Sequence, residues 1–195
     1  MSTVHQKLLA LVLLFLPLAA IAQNGQVQLS NESKLSINGK SNVNDFRCYS
    51  EHQLQQDSLS YSYHFEGDVI EVDGVSLSLQ VDQFDCGRKG INRDFRSALQ
   101  YKEYPFIHIT LNELILENEE DIVPSSARVT IKIAGVEQKY TVPLNAFSSS
   151  EERIIVGGSK VLSMHDFGID PPSPMLGLIK VSDELDIQFD LVIRY

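Results

Sequence analysis

Histidines, cysteines and a surplus of carboxylates are the side chains here that could bind a metal or move a proton. His52, His64, His108 and His165 stand far apart, and none has a second ligand at the spacing a zinc site needs. His108 lies in Phe106-Ile107-His108-Ile109-Thr110-Leu111 on the face opposite Ile107 and Ile109, which predicts an outward, solvated ring. No metal ligand is assigned. Asp166-Phe167-Gly168 spells the magnesium-binding triplet of protein kinases, but no Gly-rich loop, VAIK-like lysine or HRD segment accompanies it. It reads instead as a turn, in which Phe167 plugs an interior while Asp166 and Gly168 reverse the chain. Gly157-Gly158-Ser159 is no nucleophile elbow, since GxSxG is absent and its flanks alternate as a strand; the glycines mark a bulge or a close approach. No nucleophile, base and orienting acid assemble, so the chain is read as a non-enzyme with no catalytic residue and no cofactor motif.

What must be positioned, then, is apolar. From Glu184 to Tyr195 the chain alternates strictly, with Leu185, Ile187, Phe189, Leu191 and Ile193 on one face. Val75, Leu77, Leu79 and Val81 repeat the period, as do Val129, Ile131 and Ile133. Strands are expected over residues 34–40, 46–50, 59–65, 69–72, 75–84, 106–116, 128–133, 139–144, 154–162 and 185–193, with Asp73-Gly74 as a tight hairpin and Ala134-Gly135 as a turn. Between Gly90 and Pro105, the residues Ile91, Phe95, Ala98 and Leu99 fall at helical spacing, so one short amphipathic helix is expected there. The proline-rich run from Asp166 to Gly177 is expected to cross one end as a loop. Many antiparallel strands with one short helix predict an all-β fold, a single barrel or sandwich.

Residues 1–22 place one basic side chain, Lys7, before an uncharged apolar run ending Ala20-Ile21-Ala22, the pattern of a cleavable export signal. Cutting 22 of the 195 residues leaves 173, residues 23–195, one domain in length, with no internal repeat or dividing linker. The segment holds Lys7 and no acid, so the formal charge moves from −10 to −11. Such an acidic product is a poor nucleic-acid binder. Export, to the periplasm or beyond, places Cys48 and Cys86 where disulfides persist, and they are expected to pair. Two buried thiols or half a metal site are the alternatives.

The ordered run of Leu35 to Cys48, Val81 to Cys86, Asn92 to Leu111, Ser163 to Pro172 and the closing alternating strand resembles the YceI-like family. Tyr104-Pro105 followed by Ile107, Ile109 and Leu111 is similar to its helix-to-strand junction, and Asp166 to Ile169 to its DFG segment. The chain departs from it at Met164, where many members carry Arg; the cysteine pair matches a subset. The resemblance implies a secreted, lipocalin-like antiparallel β-barrel that binds polyisoprenoid lipids. A barrel of eight strands either packs solid or holds one slender ligand.

The residues read as lining such a cavity are Leu59, Tyr61 and Tyr63, then Leu77 and Leu79, Phe95 and Leu99, Ile107, Ile109 and Ile131, Tyr140 and Val142, Phe167, and finally Leu185, Ile187 and Phe189. At about 4 kcal/mol gross per five-carbon unit, three or four prenyl units exceed the roughly 8 kcal/mol of micromolar binding even after association costs. The expected ligand is an isoprenoid lipid or isoprenoid quinone, carried or stored without chemistry and selected by length rather than head group. Arg93 and Arg96, in a basic cluster around the helix, are candidates for head-group or transient membrane-surface contact, against the reading of a merely solvated face. The alternative function is a non-catalytic envelope or surface interaction domain whose core fills itself. A homodimer is left open by the sequence.

Overall fold

The computed structural model describes residues 23–50, 54 and 56–195. The segment read as an export signal and His52 lie outside the described residues. Twelve strands form one antiparallel sheet: β1 (Gln23–Leu29), β2 (Lys34–Ser41), β3 (Asp45–Ser50), β4 (Gln56–Glu66), β5 (Val69–Asp73), β6 (Ser76–Gln80), β7 (Phe84–Asp85), β8 (Phe106–Ile115), β9 (Ser126–Ile133), β10 (Val136–Ser149), β11 (Arg153–Ser163) and β12 (Val181–Arg194). The helix α1 spans Lys89–Ala98, and single 3-10 turns form at Val81–Gln83 and His165–Phe167. Among the described residues the class is therefore all-β with one short helix, as expected. β1 and β7 have no counterpart in the sequence reading, because Gln23 to Gln26 carry no apolar alternation and β7 is only two residues long.

Strands β8 to β12 run in spatial order as a meander. Their tightest turn joins β9 to β10 with Ile133 opposite Val136, and it needs positive φ at both linking residues, which Ala134 (48°) and Gly135 (81°) adopt. The two outer strands of this meander are each flanked by two strands in succession. β12 pairs with β1 through Arg194 and Ile193, then with β2 from Asp190 to Val181. β8 pairs with β5 from Ile115 to Glu113, then with β6 from Thr110 to Phe106. At one end the gap between β12 and β8 is closed by β1, β4 and β5. At the other, β2, β3 and β7 pair in order, and β7 reaches β6 only through the chain at Val81–Gln83, with no registered pair between them.

Asp73-Gly74 is consequently not a hairpin. β5 and β6 follow one another along the same edge of β8, and Gly74, at φ 89°, makes the kink between them. A Cβ there would lie 2.5 Å from the Ser60 carbonyl oxygen, so glycine lets β4 pass close by. The hairpin instead turns at Gly67-Asp68, with Glu66 opposite Val69. An Asp-Gly pair makes a hairpin only if its flanks are free to pair with each other, and here both are held by β8. Likewise the strand expected over residues 75–84 is broken at Val81, which is buried to 1% exposure and donates its N–H to the Pro105 carbonyl.

The β3–β7 ladder has only two registered pairs, Tyr49 with Asp85 and Ser50 with Phe84. Cys48 and Cys86, both buried, form a disulfide beside it. Asp85 then sets up the start of α1: its carboxylate accepts from the Gly87 N–H and from the Asn92 side-chain amide, while Asn92 Oδ1 accepts from the Cys86 N–H at 2.6 Å. These bonds replace the missing side-chain cap on Arg88. They also hold the Asp85 carboxyl below its ordinary value, the Asn92 amide first and the Gly87 N–H second. Because the bridge closes a span of 38 residues, replacing both cysteines with Ala should cost about 4 kcal/mol. Urea unfolding of the two proteins under non-reducing conditions measures this; equal midpoints would contradict it.

Candidate functional site

The interior is packed in one half and hollow in the other. Leu79, Val81, Leu54 and Cys48 are sealed from solvent, and the buried core around them takes in Leu35, Ile131 and Phe84. Above this mass lies a partly enclosed cavity of about 350 Å³. Its walls are Ile37 and Phe46 from β2 and β3, Ile107 and Ile133 from β8 and β9, Leu162 from β11, and Val181, Leu185 and Ile187 from β12. Ile91, Phe95, Ala98 and Leu99 of α1 form its roof. None of the residues within α1 itself is buried, because its apolar stripe faces this open space and not a packed layer. Phe95 is steadied from behind by the Phe84 ring, 5.3 Å away between centroids.

Along each wall strand the cavity stops at a definite rung. Ile187 lines it and Phe189, the next inward residue, does not; the same holds for Ile107 and Ile109, and for Ile133 and Ile131. From Val181 to Ile187 is about 20 Å of strand, and that sets the depth. Gly158 allows the floor. A Cβ on it would meet the Phe189 ring at 2.5 Å and the Pro143 carbonyl at 2.8 Å, so the ring lies flat in the space a side chain would take. This is the close approach that Gly157-Gly158 signals, and β10 bulges opposite it between Leu144 and Ala146.

The loop after β11 supplies the remaining wall. Phe167 is 3% exposed and lines the cavity, with its back on the Tyr140 ring. Asp166 turns away: its carboxylate accepts the Tyr140 hydroxyl at 2.8 Å and its carbonyl accepts the Gln138 amide at 2.7 Å. Gly168 ends the turn with φ 67°, in the left-handed region. Burial first, and the Asp166 carboxylate second, push the Tyr140 phenol above its usual range. Ile169, Pro172, Pro174, Met175 and Ile179 continue the wall to the mouth, so the proline-rich loop does cross one end. Polar groups, namely Ser41, Asn44, Arg88, Arg93 and Asp94, gather at the rim.

Of the residues read from the sequence as lining, Phe95, Leu99, Ile107, Phe167, Leu185 and Ile187 are on the cavity wall. Leu59, Leu77, Leu79, Ile109 and Ile131 point inward but pack below the floor that Phe189 forms. Tyr140 sits behind Phe167, and Val142 is buried opposite Ala127 in the β9–β10 ladder. Tyr61 and Tyr63 stack on each other at 6.0 Å, and the Tyr63 hydroxyl donates to Gln23. These two lie on the β1–β4–β5 side, away from the cavity. Arg93 stands at the mouth with its side chain 78% exposed beside Asp94, whereas Arg96 donates to the Asp82 carbonyl and is absent from the cavity wall. Alternation identifies which face is inward, but not how far along the strand the interior stays empty. Ile37, Phe46, Ile133, Leu162, Met164 and Ile169 are missed for that reason, although alternation placed some of them inward.

One polar cluster at the cavity rim resembles hydrolytic machinery in composition only. Ser163 Oγ donates to Asp183 Oδ2 at 2.6 Å, and His165 Nδ1 lies 2.8 Å from Asp183 Oδ1. A serine nucleophile needs the imidazole between hydroxyl and carboxylate, and here the carboxylate sits between the other two. The cluster instead fastens β11 to β12. Ser163 above all holds the Asp183 carboxyl below its ordinary value; burial opposes this, and the His165 N–H and ring assist. Among the described residues no three His, Cys, Asp or Glu side chains converge as a metal site. His108 is bonded to Ser78 on the outer face of β8.

A single antiparallel sheet curled around a one-ended apolar cavity and roofed by a short helix defines a lipocalin-like β-protein. The YceI-like domain matches residues 25–193, and the chain belongs to that family. Solved structures share the fold, two of them as follows. BcnA of Burkholderia cenocepacia is 18% identical over 83% of this chain and 96% of its own, with a TM-score of 0.53. A polyisoprenoid-binding domain from Saccharophagus degradans, implicated in plant cell wall breakdown, is 12% identical over 86% of this chain and 97% of its own, with a TM-score of 0.55. No curated protein matches this sequence.

The lowered Asp183 pKa makes its contribution to stability pH-dependent. The contribution is complete above the ordinary value of 3.8 and is lost as pH falls through the lower folded-state value. Asp183→Asn should therefore have a lower unfolding midpoint than the parent at pH 7, with the gap closing on acidification below pH 3.8. Midpoints measured from pH 7 to pH 2 test this, and a gap that widens in acid would contradict it.

Proposed function

We propose that this chain binds an isoprenoid lipid or isoprenoid quinone in its cavity and acts, after export, as a carrier or store of that molecule in the periplasm or outside the cell. The observation that carries the reading is an apolar chamber with polar groups confined to its rim. Such a site holds a hydrocarbon chain and leaves a polar head at the mouth. The Ser163 hydroxyl, which also lines the cavity, is already donated to Asp183. The ligand of the Saccharophagus domain belongs to the same chemical class. The disulfide accords with an oxidising compartment.

Size refines the expectation. At about 30 Å³ per heavy atom, a cavity of about 350 Å³ accepts roughly a dozen atoms, between two and three prenyl units. That gives about 10 kcal/mol gross, which falls short of the roughly 8 kcal/mol net of micromolar binding once association costs of 4 kcal/mol or more are subtracted. The enclosed segment is therefore shorter than the three or four units expected from energetics alone. A tight ligand must bury further carbon at the mouth, against Pro172, Pro174 and Met175.

A second reading, an interaction domain without cargo, draws on the solid half of the interior around Leu79 and Val81. Mass spectrometry of an organic extract separates the two: a stoichiometric prenyl lipid supports the carrier, an empty protein the interaction domain. In solution, affinity for prenyl alcohols should rise with chain length and then level off. Phe189→Leu, which lowers the floor, should move the plateau to longer chains. Ala98→Phe, which fills the roof, should weaken every chain by about tenfold or more. A response independent of length would refute the proposal.

A further inference from the structure

The mouth of the cavity carries an apolar tip that the fold itself does not use. Leu176 is fully exposed at 105%, Leu178 is 72% exposed and Met175 66%, and Val43 at the tip of the β2–β3 turn is 60% exposed. The two segments are tied together. Asn42 donates its side-chain amide to the Leu178 carbonyl, and its own side-chain oxygen accepts the Lys180 N–H at 2.8 Å. The loop is internally bonded as well, through Gly177 to Ser173 and Ile179 to Pro174. Met175 and Leu176 have φ of 55° and 57°, a conformation that glycine or asparagine adopts at less cost. Bulky apolar side chains are thus held outward on a braced loop.

Charge is distributed to match. At this end the exposed Arg88, Lys89, Arg93 and Lys180 stand among Asp45, Asp94, Asp170 and Asp183. Strand β8 runs from the cavity at Ile107 to the opposite end at Ile115, where Leu116 donates to the Asp68 carbonyl. That far end carries Glu66, Asp68, Glu117, Glu119, Glu120 and Asp121, with no basic residue in either segment. The molecule is therefore strongly negative at one end, whereas charges of both signs, four of them basic, surround the apolar tip at the other. An anionic surface would turn the mouth toward itself.

We propose that the loop from Met175 to Leu178, with Val43, docks on an anionic lipid bilayer, the leucines entering the acyl boundary and the rim arginines and lysines meeting lipid phosphates. Docking would set the cavity mouth at the depth where a lipid chain leaves the membrane, and so would cover the carbon that the cavity cannot enclose. The inference goes beyond the cargo reading and is tested without it. The chain contains no tryptophan, so a single substituted indole reports alone.

Leu176→Trp should shift to shorter emission wavelength on vesicles containing phosphatidylglycerol, should be quenched by brominated acyl chains, and should respond less as salt rises. Ile122→Trp, equally exposed but at the acidic end, should do neither. Leu176→Gly combined with Leu178→Ser relieves the backbone at position 176 and should lower co-sedimentation with the vesicles by about tenfold or more. The vesicles hold no isoprenoid, so failure of docking and failure of cargo binding are distinguishable. No shift at position 176, equal shifts at both positions, or a concentration-dependent shift without vesicles, which would indicate a second copy of the chain on the tip, would each overturn the proposal.

Discussion

The structure depends on how the two outer strands of the meander share their edges. β12 and β8 are each too long for one neighbour, so β1 and β2 follow in line along one, and β5 and β6 along the other. Between these pairs the chain is bridged twice: by β4 at one end and by β3 with β7 at the other. The first bridge is a long ladder. The second rests on two residue pairs and a disulfide, with no registered pair joining β7 to β6. A ring with more strands has more interior than its inward side chains can fill. The result is a solid lower half and a hollow upper one.

A hollow of this kind leaves its apolar walls short of packing partners. The stripe residues Ile91, Phe95 and Ala98 of α1 are only half-buried, and the Phe189 ring lies over Gly158. An empty cavity forfeits the dispersion contacts that close packing supplies. A hydrocarbon guest restores them without any directed polar bond, which suits a site whose hydroxyl, Ser163, is engaged with Asp183. The same bond orders the rim: Asp183 grips Ser163 and the His165 backbone, and the Met164 N–H is held by the Asp183 carbonyl, so the turn bearing Phe167 is anchored where the wall needs it.

The apolar tip at the mouth and the enclosed chamber form one surface, interrupted only by the rim. Pro172, Pro174 and Met175 belong to the cavity wall, while Leu176 and Leu178 stand outside it on the same loop. In water such a loop is an uncompensated cost, and its internal hydrogen bonds keep it from collapsing inward. The charge difference between the two ends supplies an orienting field over a distance where the tip alone exerts no force.

Much of the fold was legible because strand alternation and helical spacing are local. The inward face of β12 and the stripe of Ile91, Phe95, Ala98 and Leu99 could be read directly, as could the turn at Ala134-Gly135. Asp73-Gly74 misled because whether a turn becomes a hairpin depends on what else claims its flanks, and β8 is more than 30 residues away in the chain. The sequence by itself determined the class and the buried faces. Only the tertiary structure decided which inward residues line a void and which fill it: Ile187 and Phe189 share one face of one strand, and only the distant placement of Gly158 and α1 separates wall from floor. Packing is a property of the neighbours across the interior, and the order of residues along a strand does not specify them.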